Sequence, residues 1–339
     1  MIKEAMLYTK RDDGKTACVL CSHRCVIADG TRGFCNVRLN RNGTLYTLTY
    51  GKVIARHVDP IEKKPLFHFL PGTHAYSVAT MGCNFRCYFC QNWEISQYGG
   101  EEDSLPGRLL PSETAVEEAS RSGCSSVAYT YTEPTIFFEY AYDMAVLAHR
   151  EGLKNIFVTN GYQTPQTIEK MKGVIDAANV DLKSFSDAFY RKVCSARLRP
   201  VLEAIRLMYE AGMHLEVTTL VVPKQNDSEE ELTQIAAFIA EISPDIPWHV
   251  SRFYPNYQDH STPATPRETI RKATRIGREQ GLRYVFAGNL PGEGDEDSVC
   301  PHCGHVVIVR SGYSIHARRL KGHHCGNCGT ALPIVIGEE

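Results

Sequence analysis

Between Ala75 and about Ala287 the chain repeats one pattern: a short β-rich run, a turn, then an amphipathic stretch of ten to fifteen residues. Strands joined through helices enter the sheet in the same direction, so the repeat commits this region to an α/β fold with parallel strands. The β-rich runs fall at 75–80, 126–131, 155–159, 178–182, 215–222 and 248–253. Between the last two, Leu232, Ile235, Ala236, Ile239 and Ile242 share one helical face, with Asp227 or Ser228 as N-cap and Glu230 or Glu231 three residues on. Six units are fewer than the eight of a closed barrel. The expectation is therefore a partial (βα)6 TIM-like barrel, open on one side, with its chemistry at the C-terminal strand ends.

Polar residues sit where that architecture wants them. Thr132-Glu133-Pro134 follows the second run, Asn160-Gly161 the third, Asp181 and Lys183 the fourth, and His249, Arg252 and Tyr254 lie around the sixth. Singly each has a plain reading, as a turn, a helix start or an ion pair. Their shared topological position marks them as candidate site residues.

Thirteen cysteines carry the next constraint. No run of eighteen apolar residues occurs and Met1-Ile2-Lys3-Glu4-Ala5 has no secretory signature, so the expectation is a soluble, cytoplasmic protein without membrane contact. In a reducing compartment clustered cysteines bind metals rather than form disulfides. Here they cluster as four, three and four, leaving Cys124 and Cys194, which read as inert. Directly after the first strand, Cys83-x3-Cys87-x2-Cys90 supplies three thiolates within eight residues. A structural zinc ion wants four ligands, whereas a [4Fe-4S] cubane held by three cysteines keeps one iron free for chemistry.

The other two groups are ligand-complete. Cys18-x2-Cys21-x3-Cys25-x9-Cys35 lies in a polar, glycine-punctuated segment, and its spacing fits zinc or a second iron-sulfur cluster equally. Cys300-x2-Cys303 and Cys325-x2-Cys328 are paired knuckles of a zinc-ribbon kind, with a rubredoxin-like iron site as the rival reading. The chain thus divides into an N-terminal metal module with its lead-in (1–72), the partial barrel (73–290) and a C-terminal zinc-ribbon or rubredoxin-like module (296–339) after the acidic, glycine-rich linker that begins at Pro291. Within the lead-in, the run from Gly43 to Gly51 reads as a hairpin strand starting at Asn42-Gly43. The segment 59–72 has three prolines, which exclude a long helix or central strand. Its charges read as solvated, with a lesser option that Lys63, Lys64 or His68 faces a substrate. A net charge of -2 gives no electrostatic reason to expect a nucleic-acid partner.

The cysteine triplet, with Phe89 just before its third member, resembles the radical S-adenosylmethionine (SAM) superfamily, and Thr132-Glu133-Pro134 resembles its "GGE" motif with both glycines replaced. Asp181-Leu182-Lys183 resembles the matching element of the pyruvate formate-lyase activating enzyme branch. The run from Asp59 to Leu66, with Gly82 through Ser96, is similar to the radical enzymes of the AmmeMemoRadiSam system. The resemblance implies that Cys83, Cys87 and Cys90 hold a [4Fe-4S] cluster whose open iron chelates SAM, and that reductive cleavage gives a 5'-deoxyadenosyl radical that takes a hydrogen atom from substrate. It further implies SAM-contacting roles for Phe89 (adenine), Glu133 (ammonium), Asn160 (ribose), Lys183 (carboxylate or ribose) and His249 or Tyr254 (closing the site), with Thr132 and Asp181 as further cofactor-binding residues. Implied partners are an electron donor such as flavodoxin or ferredoxin, and either a small-molecule substrate or a protein that carries a glycyl radical. A non-catalytic iron-sulfur or zinc protein is the contrasting possibility, which the strand-end residues disfavour.

Overall fold

The computed structural model describes residues 2–99, 105–290 and 296–337; most of the linker after Leu290 lies outside them. Seven parallel strands form the centre: β1 (His74–Thr80), β2 (Ser126–Tyr129), β3 (Lys154–Thr159), β4 (Ala177–Asp181), β5 (His214–Val221), β6 (Trp248–Arg252) and β7 (Val285–Gly288). They lie side by side in chain order. Among the described residues, six helices of seven or more residues connect them: α1 (Ser112–Arg121), α2 (Phe138–Arg150), α3 (Pro165–Met171), α4 (Leu198–Glu210), α5 (Glu229–Ile242) and α6 (Arg267–Glu279). All six expected strands are present, and β7 adds a seventh. Its four residues have no helix after them, so no repeat flags them in the sequence.

The central strands are buried almost throughout, which is why they read as apolar runs rather than alternating ones. Leu232, Ile235, Ala236 and Ile239 of α5 are fully buried. Ser228 caps that helix by accepting from Glu231 N–H at 3.1 Å, but the Glu231 carboxylate turns away to Ser184 Oγ and Phe185 N–H, so the capping box stays half closed. In α6, Gly277 permits close contact with the sheet: a Cβ there would stand 2.8 Å from Val285 and 3.0 Å from the Trp248 ring.

The sheet does not stop at β1. The lead-in strand Lys52–Pro60 pairs antiparallel with β1, and Arg108–Leu109 pairs with its outer edge. Upstream, Arg38–Arg41 and Thr44–Thr47 form the hairpin around Asn42-Gly43, both at positive φ. This N-terminal part is locked to the central α/β unit by a buried ion pair, Arg38 Nη1 and Nη2 to Glu139 Oε1 and Oε2 of α2 at 3.1 and 2.6 Å.

Segment 59–72 starts with the last two residues of the Lys52–Pro60 strand, passes through one short 3-10 turn, Ile61–Lys63, and is irregular from there on. Lys63 is exposed, but the other charges are not solvated as expected: Asp59, Glu62, Lys64 and His68 are all buried. The segment is a seam. Val335 and Phe69 bridge it to the C-terminal module, Arg310 Nη2 donates to Phe67 O at 2.5 Å, and His68 Nε2 meets Ser298 Oγ at 3.0 Å. That module is a three-stranded sheet (Ser298–Val299, Val306–Ser311, Ser314–Arg318) beside the pair Leu320–Lys321 and His324–Cys325. Among the described residues, no helix is long and apolar enough to cross a membrane.

Candidate active site

The cysteine loop leaves β1 at its C-terminal end through Gly82, whose φ of +107 and 2.9 Å approach to Val37 admit no side chain. The loop is pinned from several sides. Arg86 donates to Cys83 O at 2.8 Å, its own N–H reaches Cys194 O at 3.0 Å, and His23 Nε2 meets Asn84 O at 2.7 Å. The sulfurs have specific neighbours: Phe85 N–H donates to Cys83 Sγ at 3.3 Å and Ser96 Oγ lies 3.1 Å from Cys90 Sγ. Burial pushes the Cys83 and Cys90 thiols above their usual range, so thiolates at this depth need a cation to compensate them.

A cavity of about 500 Å³ opens at the C-terminal ends of the parallel strands, lined by Cys83, Cys87 and Cys90 on one side. Phe89, Thr132, Glu133, Asn160, Asp181 and Lys183 line it too, so six of the eight residues expected to contact SAM converge with the triplet. Glu133 is buried and already engaged: Oε1 accepts from Thr135 N–H (3.0 Å), Thr135 Oγ1 (2.5 Å) and Thr159 Oγ1 (2.7 Å), and Oε2 from Asn160 N–H (2.8 Å). Of the roughly four lone-pair sites on a carboxylate, the spare one is therefore on Oε2. Asn160 Nδ2 donates to Asn84 Oδ1 at 2.7 Å, which ties the β3 end to the cysteine loop. Lys183 Nζ bonds Asp181 Oδ2 at 2.8 Å; burial works against its charge, but Asp181 and Cys87 outweigh it and hold the ammonium well above its usual range.

His249 and Tyr254 do not belong to this cavity. His249 is buried among Phe67 and Phe286 and bonds Glu216 Oε2 at 2.5 Å, where that carboxylate also accepts from the Phe67 and His68 amides. Strand alternation and an early position in β6 send it into this packing instead of to the strand end. Tyr254 lies exposed past β6, its hydroxyl accepting from Arg252 at 2.9 Å. His68, buried at the seam, is likewise excluded, whereas Lys63 and Lys64 do line the cavity.

Tyr131, which replaces a motif glycine, lines the cavity as well, and Thr218, Ser251, Asn289 and Tyr313 are lining residues that went unread in the sequence. Tyr131 adopts φ +62, the conformation a glycine would supply freely. Its hydroxyl donates to Asp59, which also holds Lys63 and Lys64 at 2.8 and 2.7 Å, and Lys64 sits 4.5 Å over the Tyr131 ring. Burial lowers Lys64 to about 8 against the opposing pull of Asp59. Cys194, read as inert, ends a π-helical turn (Tyr190–Cys194) with its sulfur 3.7 Å from Cys87 Sγ.

The ligand set fits an open-iron cluster: three soft donors converge, and the space beside them is lined by one carboxylate with a free acceptor site and by a paired lysine. The C-terminal cysteines form a different kind of group, with Cys300, Cys303, Cys325 and Cys328 sulfurs all within 4.8 Å of one another.

Comparison with known proteins agrees with this geometry. The Radical SAM superfamily is matched over residues 77–236. The uncharacterized protein MJ0808 of Methanocaldococcus jannaschii is 44% identical over 99% of this chain and 100% of its own. The pyruvate formate-lyase-activating enzyme of Clostridium pasteurianum is 25% identical over 48% of this chain and 67% of its own. Streptococcus suis SuiB, in a structure bound to S-adenosylmethionine, shares the fold at TM-score 0.50 and 14% identity, over 68% of this chain and 53% of that one. The chain belongs to one family with MJ0808, and its residues 77–236 match the Radical SAM superfamily.

Proposed function

We propose that the protein is a radical SAM enzyme in which Cys83, Cys87 and Cys90 hold a [4Fe-4S] cluster at the open end of a partial barrel, acting on a small-molecule substrate. Bound there, cluster and SAM supply one-electron cleavage of the sulfonium and hydrogen-atom abstraction. The carrying observation is the convergence of the triplet with Glu133, Asn160 and Lys183 on one cavity. With SAM bound, Glu133 Oε2 would accept from its ammonium, Asn160 would meet the ribose, Lys183 the carboxylate, and Phe89 would border the adenine. Tyr131 and the loop behind it narrow the cavity and keep water from the reacting atoms. The C-terminal cysteines, with their sulfurs within 4.8 Å of one another, would hold a structural zinc ion.

A second reading, activation of a glycyl-radical protein, draws on the likeness to the pyruvate formate-lyase-activating enzyme. Anaerobic reconstitution, reduction and assay for 5'-deoxyadenosine test the core proposal, and a reduced, cluster-loaded protein that leaves SAM intact would sink both readings. A glycyl-radical signal in a candidate partner protein, formed only with SAM and reductant, selects the second.

A further inference from the structure

The two four-cysteine groups differ in spacing. Sulfurs 2.3 Å from one tetrahedral ion stand about 3.8 Å apart, and Cys300–Cys328 and Cys303–Cys325 are separated by 3.7 and 3.8 Å. Among the described residues, no three of Cys18, Cys21, Cys25 and Cys35 have sulfurs all within the 4.8 Å that encloses the C-terminal group. Yet these four line one small cavity, walled by Leu20, Ile27, Phe34 and Ile136 and without polar surface. The triplet behaves the same way, sharing a cavity at more than single-ion spacing. A cubane binds each cysteine at a separate corner iron, so it needs this wider placement.

The surroundings suit sulfur ligands of a cluster. Backbone amides of Leu20, His23, Phe34 and Val37 are directed at the four sulfurs, Phe34 N–H reaching Cys25 Sγ at 3.5 Å. Such bonds to cluster thiolates tune and stabilise them. The site also abuts the catalytic loop. A Cβ on Gly82 would stand 3.4 Å from Cys35 O, Arg86 donates to Phe34 O and lies 4.6 Å over its ring, and His23 stacks on Phe34 at 4.1 Å while bonding Asn84 O.

We infer that Cys18, Cys21, Cys25 and Cys35 ligate a second, ligand-complete [4Fe-4S] cluster that relays an electron to the barrel site. A reduced low-potential carrier of the flavodoxin or ferredoxin class gives up one electron to this cluster, which passes it on and returns to its oxidised form; no bond or proton changes. The relay rests on the proposed function, whereas the cluster does not.

The test separates the two. Full-length protein with Cys83→Ala, Cys87→Ala and Cys90→Ala, purified and reconstituted anaerobically, should keep about four irons and four sulfides with a cubane Mössbauer spectrum. Loss of iron with about two zinc ions per chain overturns the cluster. Should that variant not fold, the wild-type iron count decides: about eight irons per chain support the inference and about four overturn it. For the relay, Cys21→Ser with Cys25→Ser should slow SAM cleavage about tenfold with reduced flavodoxin but leave it nearly unchanged with dithionite, and equal loss with both reductants contradicts it.

Discussion

Glu133 is a carboxylate whose local hydrogen bonds leave one acceptor site toward the cavity. Glu133→Gln places an amide NH₂ against donors and removes the charge facing the ammonium. SAM affinity should fall about 10- to 100-fold, since charge-assisted bonds are worth about 1.5–3 kcal/mol; equilibrium dialysis against the cluster-loaded protein measures this. Cys194 is the residue whose role reversed on folding. Its thiol, pushed well above the usual range by burial, lies 3.7 Å from the Cys87 sulfur, and with Cys87 bound to iron as a thiolate Cys194 would be the donor of the pair. Hydrogen bonds to cluster sulfurs stabilise the reduced, more negative state. Cys194→Ala should therefore lower the cluster's midpoint potential, and Cys194→Ser, which keeps a donor, should restore much of it. Unchanged potentials in an EPR-monitored titration would refute that role. Neither the free Oε2 site nor the sulfur contact is visible in the sequence, because each depends on which neighbours close around the side chain.

At the scale of elements, two seams hold the appendages to the central parallel sheet and its helices. The Arg38–Glu139 pair is fully buried, so removing one partner strands a charge. Glu139→Ala should cost about 3–5 kcal/mol, read as an earlier urea midpoint with loosened protection of the Arg38–Arg41 hairpin in hydrogen exchange. The C-terminal seam carries a pH dependence. Burial lowers His68 to about 3, while an unfolded imidazole titrates near 6.5. Between those values the opened chain takes up a proton that the closed chain refuses. Stability is therefore full above about 6.5 and drains as the pH falls toward 3. Thermal midpoints across that range should drop less steeply in His68→Gln than in wild type. The hairpin at Asn42-Gly43 and the Ser228 cap were legible beforehand because they are local turn and capping chemistry. The buried charges of 59–72 were not: a proline-rich, charged stretch looks solvated until a second module covers it.

The whole molecule is an α/β sheet of seven parallel strands extended by two antiparallel ones, with one cysteine-rich segment before it and another after it. Cysteine counting alone separated a triplet from two groups of four, and hydrophobic periodicity placed six of the seven parallel strands. These signals are short-range: ligand spacing within a loop, and the alternation between β-rich runs and amphipathic helices. By itself, then, the sequence determined the α/β class, the three cysteine groups, and the strand-end origin of Glu133, Asn160 and Lys183. Only the tertiary structure decided which candidates meet. It kept Lys63 and Lys64 at the cavity and sent His249 to Glu216 and Tyr254 to the surface, brought Cys194 to Cys87, and gave the two four-cysteine groups different sulfur spacings. The reason is physical: those outcomes rest on contacts between residues far apart in the chain, set by strand alternation and packing, which no local spacing encodes.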